Sequence, residues 1–261
     1  MSKPYPCGGM GRRRFLAGGA ALPLIGAFAT AGAAPDEPSK AGKSLGLPGP
    51  YPGRVIEARN KAMIREGEKS REAIKATVDR GMKELTGADD AVEAWRSFFE
   101  PGDVVGIKMN PVGNPGANTN SELMLEVIEG LKAAGVKTKD MIVYERYRDE
   151  FIGAGMHKDV PDGIEWTGLG IAYNGQQLDI KGDDLKSGNL DHVTGYDPDQ
   201  FVEMELVSDG HDPKDDRTRR SHLGLLITRR VNKLVMLPVL KDHGSVTAKC
   251  NSCGSLTLPN R

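Results

Sequence analysis

Three apolar runs in this chain each end in residues able to do chemistry. Lys108 and Asn110 close the first run, Glu145 and Arg146 the second. Lys241, Asp242 and His243 follow the third. In open α/β sheets, ligands sit outside the carboxyl ends of parallel strands. If the three runs are parallel neighbours, these side chains meet at one edge and can hold a carboxylate or phosphate. Lys108, Arg146 and Lys241 would carry the charge and Asn110 would orient the ligand. Lys241 and His243 are the candidate catalytic pair, because a histidine titrates near neutrality and can also ligate a metal. The plainer alternative is that Lys108 and Lys241 merely extend to solvent from strand ends.

A second constellation is Cys250-Asn251-Ser252-Cys253. One C-x-x-C is half a zinc or iron–sulfur site. With His243, the two cysteines offer three ligands; a disulfide or two idle thiols is the simpler reading. His211-Asp212-Pro213-Lys214-Asp215-Asp216 is rich in oxygen donors and suits either a hard cation or a solvated turn. Arg217, Arg219, Arg220, Arg229 and Arg230 form a basic zone that can pair with those acids. The glycine-rich loop after Met109 lacks both the Gly-Lys-Ser/Thr and the Gly-x-Gly-x-x-Gly pattern. Neither Gly-x-Ser-x-Gly nor His-Glu-x-x-His occurs, so hydrolase chemistry has no support.

The elements that must position these groups are legible in part. Residues 103–109 are apolar on both faces, as in a strand covered on both sides. Thr119-x-x-Glu122 has the form of a capping box. The helix it would open buries Met124, Val127, Ile128 and Leu131 and stops at Gly135. A strand at 141–145 completes a βαβ unit with an expected right-handed crossover. Upstream, a short strand is expected at 54–58. A helix at 70–86 has Ser70 as cap, Ile74, Val78, Met82 and Leu85 on one face and Gly87 at its end. Another helix is expected at 90–99 with Asp89 as cap. Downstream, short strands at 164–167, 177–181 and 201–207 suggest an antiparallel insert. A short helix is expected at 221–228 and a strand at 233–237. The expected fold is α/β: a mainly parallel sheet flanked by helices, with an irregular, partly antiparallel insert.

The first 33 residues read as an export leader. Arg12, Arg13 and Arg14 precede Phe15 and Leu16, an apolar run to 28 and a small-residue end at Ala33. Basic, then apolar, then small is the secretory order. The arginine pair followed by x-Phe-Leu resembles the twin-arginine signal, with Gly11 where Ser or Thr is usual. The expected partner is the twin-arginine translocon, and the expected location periplasmic or otherwise extracytoplasmic. The apolar run is shorter than the roughly 20 residues of a membrane span, so no stable span is expected after cleavage at Ala33. Residues 34–53 hold five prolines and read as a linker into a domain at 54–261. The chain's net charge is −1; its leader carries Lys3, three arginines and no acid, so the remainder stands at −5. That balance argues against nucleic acid as the main partner.

The motif Val104-Val105-Gly106-Ile107-Lys108-Met109-Asn110, the helix start at Thr119 to Leu123 and the helix end Gly130-Leu131-Lys132-Ala133-Ala134-Gly135 resemble the family called domain of unknown function 362. Leu234 to His243, with its apolar strand, Pro238, Lys241 and His243, is similar to that family's second hallmark. The resemblance covers about residues 54–249. It implies an α/β fold and points to Lys108, Asn110, Lys241 and His243. Some family members are fused to iron–sulfur modules, which implies redox chemistry. Members usually continue past the Lys-x-His motif, whereas this chain turns to its C-x-x-C and stops at Arg261, so a truncated or frameshifted tail is expected. Three readings follow: a redox-type enzyme with a small anionic ligand, a non-catalytic binding or interaction protein, and a truncated inactive relative.

Overall fold

The structure, a computed structural model, describes residues 49–172, 190–203, 220–243 and 246–250, with the backbone alone for 242–250. All of these lie in one compact unit, Lys43–Arg261. Among the described residues no helix is long and apolar enough to cross a membrane.

A two-residue hairpin, β1 (Ile64–Arg65) with β2 (Glu68–Lys69), leads into helix α1 (Arg71–Thr86). Ser70 caps α1 by accepting from the Ala73 N–H, and Gly87 closes it at φ +77°. No strand forms at 54–58, where Val55 is 90% exposed; without a partner edge, strand propensity alone cannot hold an extended segment. Helix α2 (Ala91–Arg96) is shorter than expected, and its cap is Asp90, whose carboxylate accepts from the Glu93 N–H.

The centre is a four-stranded, all-parallel sheet in the order β5 (Glu165–Gly170), β4 (Met141–Tyr147), β3 (Val105–Lys108), β8 (Lys233–Met236). Helix α3 (Ser121–Ala134) connects β3 to β4, giving the expected βαβ unit. Its cap position is Asn120 rather than Thr119, and Gly135 ends it in the left-handed conformation. Against one sheet face, Trp95, Phe99, Met124, Ile128 and Leu131 pack on Val105, Ile107, Met109, Met141 and Val143. Each such buried side chain contributes about 1.5–3 kcal/mol. Helix and helix meet closely here: a Cβ on Gly130 would lie 2.2 Å from the Trp95 ring.

The other face carries Ile142, Tyr144, Leu169, Tyr196 and Leu226. It is covered by the antiparallel pair β6 (Tyr196–Glu203) and β7 (Arg220–Gly224) and by a helical turn, Leu226–Arg230. The helix expected at 221–228 is therefore a strand first and a turn after. Pairing of 220–224 with β6 overrides local preference, and Gly224 lies so close to Leu169 that a Cβ would sit 2.7 Å from it. The sheet is thus flanked by helices on one side and by antiparallel strands on the other. The strand expected at 201–207 begins earlier, at Tyr196; that expected at 177–181 lies outside the described residues. Helix α4 (Arg148–Gly153) follows β4 without a loop, and a last antiparallel hairpin, β9 (Leu240–His243) with β10 (Val246–Cys250), follows β8.

Candidate functional site

The carboxyl ends of β3, β4 and β8 do lie side by side, since β3 pairs in parallel with both neighbours. Lys108, the last residue of β3, is only 1% exposed. Its ammonium does not extend to solvent; it donates to both Glu145 oxygens, at 2.9 and 3.0 Å, and to the Met109 carbonyl at 3.1 Å. These three acceptors match its three N–H donors. Glu145 is equally buried, and its Oε1 also accepts the Arg146 backbone N–H at 2.6 Å. The pair forms a closed, electrically neutral floor.

Beside that pair lie Asn110, Lys241 and Arg146. Asn110 is fully buried, and its Oδ1 accepts from the Lys241 ammonium at 3.3 Å. Lys241 also donates to the Val112 carbonyl, so it holds the 110–118 loop against the start of β9. Thr119 clips the same region: its hydroxyl accepts the Asn110 N–H at 3.0 Å and donates to the Leu237 carbonyl at 2.6 Å. This is why Thr119 does not cap α3. Its side chain joins the ends of β3 and β8 instead.

Arg146 follows Glu145 on β4, and its guanidinium stacks 4.8 Å from the centre of the Tyr147 ring. Its Nε and Nη2 atoms are buried, with no hydrogen-bond partner in the protein. Those two nitrogens form the side-on fork of a guanidinium. The same edge of Arg229 grips Asp197 bidentately in this molecule, at 2.9 and 3.0 Å. The Tyr196 hydroxyl is likewise buried and lies beside the Arg146 guanidinium, with no other hydrogen-bonding neighbour. Burial pushes its pKa up, and the nearby Arg146 guanidinium pulls the other way. Glu150, in the first turn of α4, completes the group. Burial, then the Glu145 charge, raise its pKa; Arg146, Lys108 and Lys241 oppose them. Gly168 lets α4 start this close, since a Cβ there would lie 2.5 Å from the Arg148 nitrogen.

The structure therefore gathers Lys108, Asn110, Glu145, Arg146 and Lys241. His243 ends β9, and Cys250 lies in β10 opposite Leu240, at the far end of the hairpin from the His243–Val246 pair. The side chains of His243 and Cys250, and all of Cys253, lie outside the described residues, as do the leader residues and the 211–216 acids. Among the described residues, no three His, Cys, Asp or Glu side chains cluster as metal ligands. Two participants escape sequence reasoning. Glu150 carries no motif, and Tyr196 stands in a glycine- and aspartate-rich stretch without periodicity. A cleft lined by Phe98, Phe99, Ile227, Val231 and Leu234 lies at the opposite, amino end of the strands and presents mostly apolar groups. Compared with protein-family models, with curated proteins and with solved structures, the chain gives no match.

Proposed function

We propose that this chain is an exported domain that binds a small anion at the carboxyl edge of its parallel sheet. One observation carries the reading: the buried Nε–Nη2 fork of Arg146 has no acceptor in the protein. A buried donor left unmade costs about 1–3 kcal/mol, and more when charged. An incoming carboxylate or phosphate removes that cost by accepting both N–H groups in parallel. Lys241 adds positive charge beside it, and Glu150 is a carboxyl that can exchange a proton with a bound ligand. Export by the twin-arginine route, with cleavage at Ala33, is supported by the order of residues 1–33. The motif resemblance to the domain of unknown function 362 family points to Lys108, Asn110, Lys241 and His243 and is the support offered for redox turnover there.

The test is calorimetric titration of the purified chain with acetate and with inorganic phosphate. Binding of either anion, weakened roughly tenfold or more in Arg146→Met, is the expected result. Arg146→Met should still fold, because the relief of two unmet buried N–H groups offsets the lost stacking on Tyr147 and the lost charge beside Glu150. Failure of both anions to bind at millimolar concentration, or equal binding by the variant, refutes the reading. For export, replacing Arg12 and Arg13 by lysine should retain the protein in the cytoplasm, as followed by cell fractionation.

A further inference from the structure

Resting on that reading, we infer that the ligand is a carboxylate with an oxygen on the adjacent carbon, a 2-hydroxy or 2-oxo acid. Three features of the site converge on this class.

The first is the shape of the Arg146 fork. Two parallel N–H donors match the two coplanar oxygens of a carboxylate.

The second is the neighbouring hydroxyl. Successive side chains alternate between sheet faces. Ile142 and Tyr144 lie in the cluster that also holds Leu169, Tyr196 and Leu226, so Arg146 extends that same face at its carboxyl end. The backbone brings Tyr196 alongside. Glu145 pairs with Gly168 and Tyr147 with Gly170, which sets Leu169 opposite Arg146, and the Gly195 N–H donates to the Leu169 carbonyl at 3.0 Å. Tyr196 is the next residue, and its buried hydroxyl lies against the Arg146 guanidinium and makes no other hydrogen bond. A hydroxyl both donates and accepts, so it serves a ligand hydroxyl and a ligand carbonyl equally. A plain alkyl carboxylate would satisfy Arg146 and leave Tyr196 unmet.

The third is charge. Lys108 and Glu145 cancel as a buried pair. Among the described side chains, Arg146 and Lys241 against Glu150 leave one positive charge, which a monocarboxylate neutralises. A phosphate dianion overshoots unless Glu150 takes up a proton.

The experiment titrates the full purified chain at pH 7 with acetate, glycolate, lactate, pyruvate and inorganic phosphate. Glycolate, lactate and pyruvate should bind roughly five- to tenfold tighter than acetate, the worth of one buried hydrogen bond to a group otherwise left unmade. Phosphate should bind more weakly than glycolate. Tyr196→Phe should bring the glycolate-to-acetate affinity ratio to about one; Arg146→Met should weaken all of them. Equal affinity for acetate and glycolate, or tighter binding of phosphate, with Arg146 still required, overturns this inference and leaves the anion site standing. A Tyr196→Phe variant that loses acetate and glycolate alike also overturns it, because the tyrosine would then be structural. No binding by any of the five overturns both. The acetate–glycolate comparison on the parent protein decides the matter even if a variant fails to fold.

Discussion

Lys108→Met is the most informative single perturbation of the site's floor. The side chains of Lys108 and Glu145 are 1% and 3% exposed. The substitution nearly conserves volume, so the cavity cost is small and the change is mainly electrostatic. It removes two charge-assisted bonds and leaves the Glu145 carboxylate buried, with the Arg146 N–H as its remaining short donor. Breaking one side of a buried pair costs about 3–5 kcal/mol, most of it the penalty for the stranded charge. For a domain of roughly 200 residues, each kcal/mol lowers Tm by about 2–4 °C, so the loss should be about 6–20 °C. Replacing both partners, Lys108→Met with Glu145→Met, leaves no stranded charge and should recover most of the loss. Urea unfolding, followed by Trp95 and Trp166 fluorescence, closes the cycle through the two single variants and the double. A Lys108→Met penalty below about 1 kcal/mol, or a double variant no better than Lys108→Met alone, would refute the argument that this pair is dry and mutually dependent.

Three further outcomes are expected. The raised Glu150 carboxyl becomes neutral as pH falls through the acid range, making the site more positive, so anion affinity should rise as pH falls; Glu150→Gln should bind anions more tightly than the parent at pH 7 and lose that dependence, as read by titration calorimetry. Asp197 is held well below the usual carboxylate range, first by the Arg229 guanidinium and then by the Thr228 hydroxyl. Its contribution is complete above the unfolded carboxylate pKa and is lost as pH falls below it, so parent stability should fall more steeply than that of Asp197→Asn on going below about pH 4, as urea midpoints will show. Thr119→Val keeps the shape and removes a hydroxyl joining two buried backbone groups, so it should cost about 1–3 kcal/mol, measured by thermal unfolding.

The sequence by itself determined the elements whose signals are local. Ser70 and Gly87 bound α1, Gly135 ends α3, the run at 103–109 reads as a strand covered on both faces, and a strand follows at 141–145. That Lys108, Asn110, Arg146 and Lys241 meet rested on the condition that the three runs are parallel neighbours, a condition supplied by the pairing of β3 with β4 and β8. What the side chains do on meeting was decided by tertiary structure alone. A lysine at a strand end extends to solvent or turns inward depending on whether a carboxylate waits there, and Glu145 belongs to a different strand. Thr119 has the pattern of a helix cap, yet a buried amide and carbonyl from two strand ends claimed its hydroxyl. Residues 220–224 have no strand signal of their own and became one through pairing with β6. Tyr196 entered the site for the same reason: its neighbour Gly195 hydrogen-bonds to Leu169, 26 residues earlier in the chain. Hydrogen-bond partners and burial are properties of residues far apart in sequence, so no local pattern carries them.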